Sequence, residues 1–194
     1  KAISNLDAED VMPVFLDIYD CRDEFDFYER FSTSILKATS TSMDSLMKNI
    51  AEFIGRVVPR ISLSSDGGMS DYSLSLGLAP KDYSPEEILE LPEKIATSKG
   101  KDLVICIDEF QQIGEFPDSL NVQKKLRGVW QHQNNVTYCF FGSKKPMMEK
   151  IFSNRSMPFF QFGEMIHLGK IATGKWADYI TCQFRKGGKR YHGN

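Results

Sequence analysis

The sequence has no long apolar run, no paired-cysteine motif and no excess of charge of one sign. Its longest apolar stretch, LVICI at 103–107, falls far short of the roughly 20 residues a membrane helix needs, so no membrane partner is expected. The four cysteines, at 21, 106, 139 and 182, include no CxxC pair of the kind that binds zinc or runs redox chemistry. Cys106 and Cys139 lie inside apolar runs and read as small core residues. Free thiols of this kind point to a cytoplasmic protein. His132, His167 and His192 show no ligand spacing, and His167 reads as a strand residue. With 24 basic and 26 acidic residues the net charge is -2, so bulk charge does not indicate a nucleic-acid partner, though a local basic patch stays open. No internal repeat and no signal peptide is visible. The chain starts at Lys1 and closes on KGGKRYHGN, and both ends read as cuts through a longer protein.

What is present is ordinary globular material: 194 residues, 41% hydrophobic and 26% charged. At this mass about 70% of the chain's surface is buried on folding, enough for a core without staples. VFLDIY, after Pro13, reads as a buried strand. DEFDFYERFSTSILKAT follows with a helical period through Phe27, Phe31 and Ile35, capped by Asp23 or Asp26. Residues 43–58 repeat the helical pattern until Pro59. From 59 to 78 the period changes to two, with Ile61 and Leu63 on one side of SDGGMSD and Tyr72, Leu74 and Leu76 on the other. That predicts a β-hairpin, against the alternative of a serine-rich loop. Residues 84–100 form a helix with Ser84 as N-cap, Pro85 first, Glu87 as the capping-box partner, an interruption or kink at Pro92 and a stop at Gly100. Helices are expected over 118–132, 144–152 and 174–184, and strands at 103–107, 136–141 and 165–168. Apolar strands alternating with helices predict an α/β fold, a parallel sheet with helices on both faces.

The sharpest feature is LVICIDEF. A buried strand ends in Asp108 and Glu109, and in open parallel sheets ligands bind beyond such strand ends. Adjacent residues on a strand point to different sides, so the two acids can divide the work. One can hold a hydrated Mg²⁺ while the other orients a water, a division that suits phosphoanhydride hydrolysis. On these two acids alone, a turn-capping Asp108 beside a solvated Glu109 is an equal reading. VTYCFFGS ends in Gly142 and Ser143, and a hydroxyl there can sense a phosphate, hold the attacking water, or simply cap the next helix.

IDEFQQI, YCFFGSKKPMMEKIF and MPFFQFGEMIHLGKI, taken in series, resemble the archaeal-type ATPases of the AAA+ and STAND P-loop class (ASCE/AAA+ type). The upstream VFLDIYDCRDEFDFYERFSTSIL is similar to that family's second strand and helix, and the hairpin at 59–78 to an inserted element before its acidic strand. The resemblance spans most of 11–184. It implies ATP and Mg²⁺ as ligands and IDE at 107–109 as the Walker B element. Asp108 is then directed to Mg²⁺, Glu109 to the water, Ser143 is the sensor-1 residue, and Arg155 is an arginine finger reaching a neighbouring subunit, which brings self-association with it.

The family's Walker A loop, GxxxxGK[ST], is missing. The nearest string, Gly169 to Trp176, ends in Trp where Ser or Thr is needed and follows the last expected strand. The resemblance therefore implies a partial ATPase core over 1–184, lacking its central Walker A strand, with 185–194 starting a linker to a missing C-terminal region. Two other readings stand beside the ATPase: a non-catalytic interaction module that keeps the fold, and a metal-dependent nuclease using Asp108 and Glu109. The resemblance also implies that 103–107 lies mid-sheet, and that 165–168 is a strand beyond the slot next to 136–141.

Overall fold

Three parallel strands form the frame: β1 (Val11–Asp17), β4 (Asp102–Asp108) and β5 (Val136–Phe140), in the order β1-β4-β5. The computed structural model describes residues 10–42, 45–46, 48–49, 59–63, 72–76 and 84–186. The chain divides into two compact units, Lys1–Gly163 and Glu164–Asn194. In the first, β4 is the middle strand, as the sequence predicts. Val14 pairs with Ile105 and Leu16 with Ile107 on one side, and Ile105 with Tyr138 and Ile107 with Phe140 on the other.

This register puts Val14, Ile105 and Tyr138, then Leu16, Ile107 and Phe140, on one face. Helices cover that face. α1 (Glu24–Ala38) is capped by Asp23, whose side chain accepts from the Phe25 and Asp26 N–H groups. It buries Phe27, Tyr28, Phe31, Ile35 and Leu36. α2 (Pro85–Lys99) starts on Ser84 and ends where Gly100 takes a left-handed φ of 61°, which a residue with a Cβ adopts at a cost. The Ser84 hydroxyl accepts from the Glu86 N–H and meets the Glu86 carboxylate, so Glu86, not Glu87, is its side-chain partner. Pro92 does not interrupt the helix, which is continuous from Pro85 to Lys99. Ile88, Leu89, Leu91, Pro92, Ile95 and Ala96 are all buried, and that packing offsets the roughly 3 kcal/mol an internal proline costs.

α3 (Ser119–Trp130) brings Trp130 over the sheet, its ring stacked on Tyr138 at 4.3 Å and tilted against Phe31 at 5.8 Å. After β5 comes α4 (Lys145–Ser153), whose Phe152 meets Phe140 at 5.5 Å. The opposite face carries Phe15, Cys106 and Cys139 in one row. Phe15 is 54% exposed, and Cys139 is half-buried where the sequence suggested core. The reason is position: β1 and β5 each pair only with β4 among the described residues.

The predicted hairpin is present as β2 (Pro59–Leu63) antiparallel to β3 (Tyr72–Leu76), and its turn lies outside the described residues. So does most of the helix expected over 43–58, of which residues 45, 46, 48 and 49 are helical. In the second unit α5 (Thr173–Lys186) forms as expected. The strand expected at 165–168 does not form. Ile166 and Leu168 are 77% and 89% exposed. The segment has the alternation of a strand, but no described strand takes up its backbone N–H and C=O groups.

Candidate functional site at the ends of the parallel strands

The chain leaves β4 through Asp108 and Glu109 and turns at once into a 3₁₀ helix, Phe110–Glu115. The turn is made by Glu109 itself, at φ 53° and ψ 38°, a left-handed conformation uncommon outside glycine. Strained backbone of this kind gathers at functional sites. Here it is fixed from three sides. The Phe110 N–H donates to the Phe141 carbonyl at 2.8 Å, the Phe141 N–H to the Ile107 carbonyl at 2.8 Å, and the Ile18 N–H to the Asp108 carbonyl at 3.2 Å. Beneath the turn, Phe110 is fully buried against Phe140, Phe152 and Phe159.

The two acids diverge. Asp108 is exposed, and its Oδ1 accepts the Glu109 N–H at 2.8 Å. The Glu109 carboxylate turns toward β5, where the Ser143 hydroxyl donates to its Oε2 at 3.0 Å. The structure therefore brings Asp108, Glu109 and Ser143 together at the C-terminal ends of two adjacent parallel strands. Arg155 is apart from them: it is exposed in the turn after α4, with no hydrogen bond or ion pair among the described residues. Arg127 is engaged elsewhere, donating to the Phe160 carbonyl at 3.1 Å with its guanidinium 5.0 Å from the Phe162 ring centre.

Two residues that sequence reasoning passed over belong to this site. Gln111, 2% exposed, donates through Nε2 to the same Glu109 Oε2. Gly142 gives Gln111 room, since a Cβ there would run into its amide and lie 2.7 Å from Met148 Sδ. The QQ that follows IDEF was the available signal, but a glutamine in a loop carries no meaning until its burial is known. Asp17 also ends its strand, in register with Asp108. Among the described residues no group of three or more His, Cys, Asp or Glu side chains is placed to hold a metal ion. Mg²⁺ in nucleotide sites takes one or two carboxylates, with phosphates and waters completing the shell, and the exposed Asp108 fits that smaller demand.

No family model matches the sequence, and no curated protein does. Solved structures do. The Walker-type ATPase PABY2304 of Pyrococcus abyssi superposes with a TM-score of 0.59 at 13% identity, over 93% of this chain and 48% of that one. The Aeropyrum pernix ORC2 protein, solved as ADPNP–ADP complexes, superposes with a TM-score of 0.52 at 10% identity, over 95% and 39%. The chain thus spans less than half the length of each. Among the described residues, no helix is long and apolar enough to cross a membrane. The likeness is one of fold: the chain has an α/β fold with a three-stranded parallel sheet, similar to that of these ATPases.

Proposed function

We propose that this chain carries the acidic half of an AAA+/STAND-type ATP-hydrolysing site. The observation that supports the reading is the joining of Glu109 to Ser143 beside the exposed Asp108, at the end where parallel sheets bind ligands. Asp108 would hold Mg²⁺ and Glu109 would take up the proton of the attacking water. Bound Mg·ATP supplies the phosphoanhydride bond that is broken, with the metal neutralising charge on its phosphates. Ser143 fixes one oxygen of Glu109. Arg155, exposed and unengaged, is suited to reach the site of a neighbouring copy in a self-associated state.

The sequence holds no GxxxxGK[ST], so the phosphate cradle in this reading comes from a part of the protein beyond these residues. The matched ATPase, about twice as long, leaves space for one. The competing reading is a non-catalytic, cytoplasmic interaction module that keeps the fold. The missing cradle favours it. The Glu109–Ser143 contact beside the exposed Asp108 favours catalysis, because it sets a held carboxylate next to a free one at the ligand-binding end of the sheet. In the intact protein, Glu109→Gln is expected to keep ATP binding and lower turnover by about 100-fold or more, the scale of a lost general base. Asp108→Ala is expected to weaken Mg·ATP binding as well. Equal turnover in wild type and Glu109→Gln would refute the catalytic reading and leave the module.

A further inference from the structure

Both donors to Glu109 strike the same atom. Ser143 Oγ and Gln111 Nε2 each bond Oε2, and no described group bonds Oε1. The carboxylate is thereby held by one oxygen with the other left open. An unanchored glutamate swings about its side-chain torsions, while one oxygen fixed by two donors gives the second a defined position. Such orientation is worth much in catalysis, where a misplacement of about 1 Å costs on the order of 100-fold.

Gln111 is an unusual residue to find in this role. It is 2% exposed, and its Oε1 is buried with no hydrogen-bond partner among the described residues. A buried carbonyl oxygen without a partner loses its hydration with nothing in return, so on stability alone an apolar side chain of similar shape serves better. The amide is seated where only glycine leaves room, since any Cβ at Gly142 collides with Gln111 and crowds Met148. An amide that is poorly satisfied, tightly accommodated and directed at one carboxylate oxygen is explained by what it does for that carboxylate.

We infer that Gln111 is a positioning residue for Glu109, pinning Oε2 together with Ser143 so that Oε1 is the oxygen that meets the attacking water, and that Gly142 is the seat that makes this possible. The inference rests on the ATPase reading above. It separates two quantities that normally fall together: Gln111 lowers stability and raises turnover.

The test is made on the intact protein with three variants. Gln111→Met removes the amide at nearly constant volume. It is expected to lower kcat roughly 10- to 100-fold, to leave the KM for ATP within about twofold, and to keep or raise the thermal midpoint. Gly142→Ala, which displaces the same amide from the other side, is expected to lower kcat in the same way. In the Glu109→Gln background, Gln111→Met is expected to cause no further loss, because a residue acting only through Glu109 has nothing left to act on. Turnover that depends on Glu109 but is unchanged in Gln111→Met overturns this inference alone. So does a Gln111→Met loss that persists undiminished in Glu109→Gln, or one that comes with a lowered midpoint. A protein whose turnover is indifferent to Glu109 overturns the ATPase reading and this inference with it.

Discussion

Ser143 and Glu109 stand 34 residues apart in sequence and meet through a hydroxyl-to-carboxylate hydrogen bond of 3.0 Å. The contact ties the end of β5 to the end of β4, so each strand end depends on the other for its geometry. Among the described residues, Ser143→Ala leaves Gln111 as the sole donor to Glu109 Oε2. Turnover of the intact protein is expected to fall about 10-fold or more, the loss of one preorganised donor, with unfolding little changed because Ser143 is exposed. Ser143→Thr, which keeps the hydroxyl, is expected to restore most of the rate. Steady-state kinetics of the two variants decide it: equal rates for Ala and Thr would remove the hydroxyl from the site.

Burial pushes the Cys21 and Cys106 thiols up from the ordinary value of 9.0 to about 11. The folded state therefore favours the protonated thiol more than the unfolded chain does. The stability this gives is whole below pH 9 and is lost as pH rises toward 11. Chemical unfolding at pH 8, 9.5 and 10.5 is expected to show stability falling across the last two points, with a shallower fall in Cys21→Ala. At pH 7.5 a thiol reagent is expected to label the exposed Cys182 well before Cys21 and Cys106.

Asp23 holds the start of α1 by accepting from the Phe25 and Asp26 N–H groups, each at 3.0 Å. Asp23→Ala is expected to cost about 1 kcal/mol, read as a shift in the urea midpoint at constant slope. Asp23→Asn, which keeps the acceptor, is expected to recover most of it. An unchanged midpoint in the alanine variant would show that Phe27 and Phe31 hold the helix end without its cap.

The parts of the fold written into single segments were legible. The run LVICI, short and bounded by polar residues, reads as a buried strand, and it lies mid-sheet. Ser84 and Gly100 mark both ends of α2, and Phe27, Phe31 and Ile35 show the buried stripe of α1. The strand expected at 165–168 failed because alternation specifies a strand only where a neighbour exists to pair with it. At Pro92 local chemistry argued for an interruption or a kink, and the burial of α2 keeps the helix continuous through it. At the site, Asp108, Glu109 and Ser143 were legible because strand ends are visible in sequence. Gln111 was not. Its meaning lies in being buried beside Gly142, and that proximity exists only after β5 has paired with β4.

The two ladders of the sheet differ in the length of chain they close. β4 meets β5 across 33 residues, Leu103 to Val136, whereas β1 meets β4 across 91, Val11 to Asp102. Loop-closure entropy makes the longer connection about 0.9 kcal/mol costlier, which favours β4 and β5 as the earlier pair in folding. The junction that brings Ser143 to Glu109 then belongs to the early structure, and β1 is added to a sheet that already holds both halves of the site. Higher φ-values at Ile105 and Tyr138 than at Val14 are the kinetic signature of that order, and the reverse ranking would contradict it.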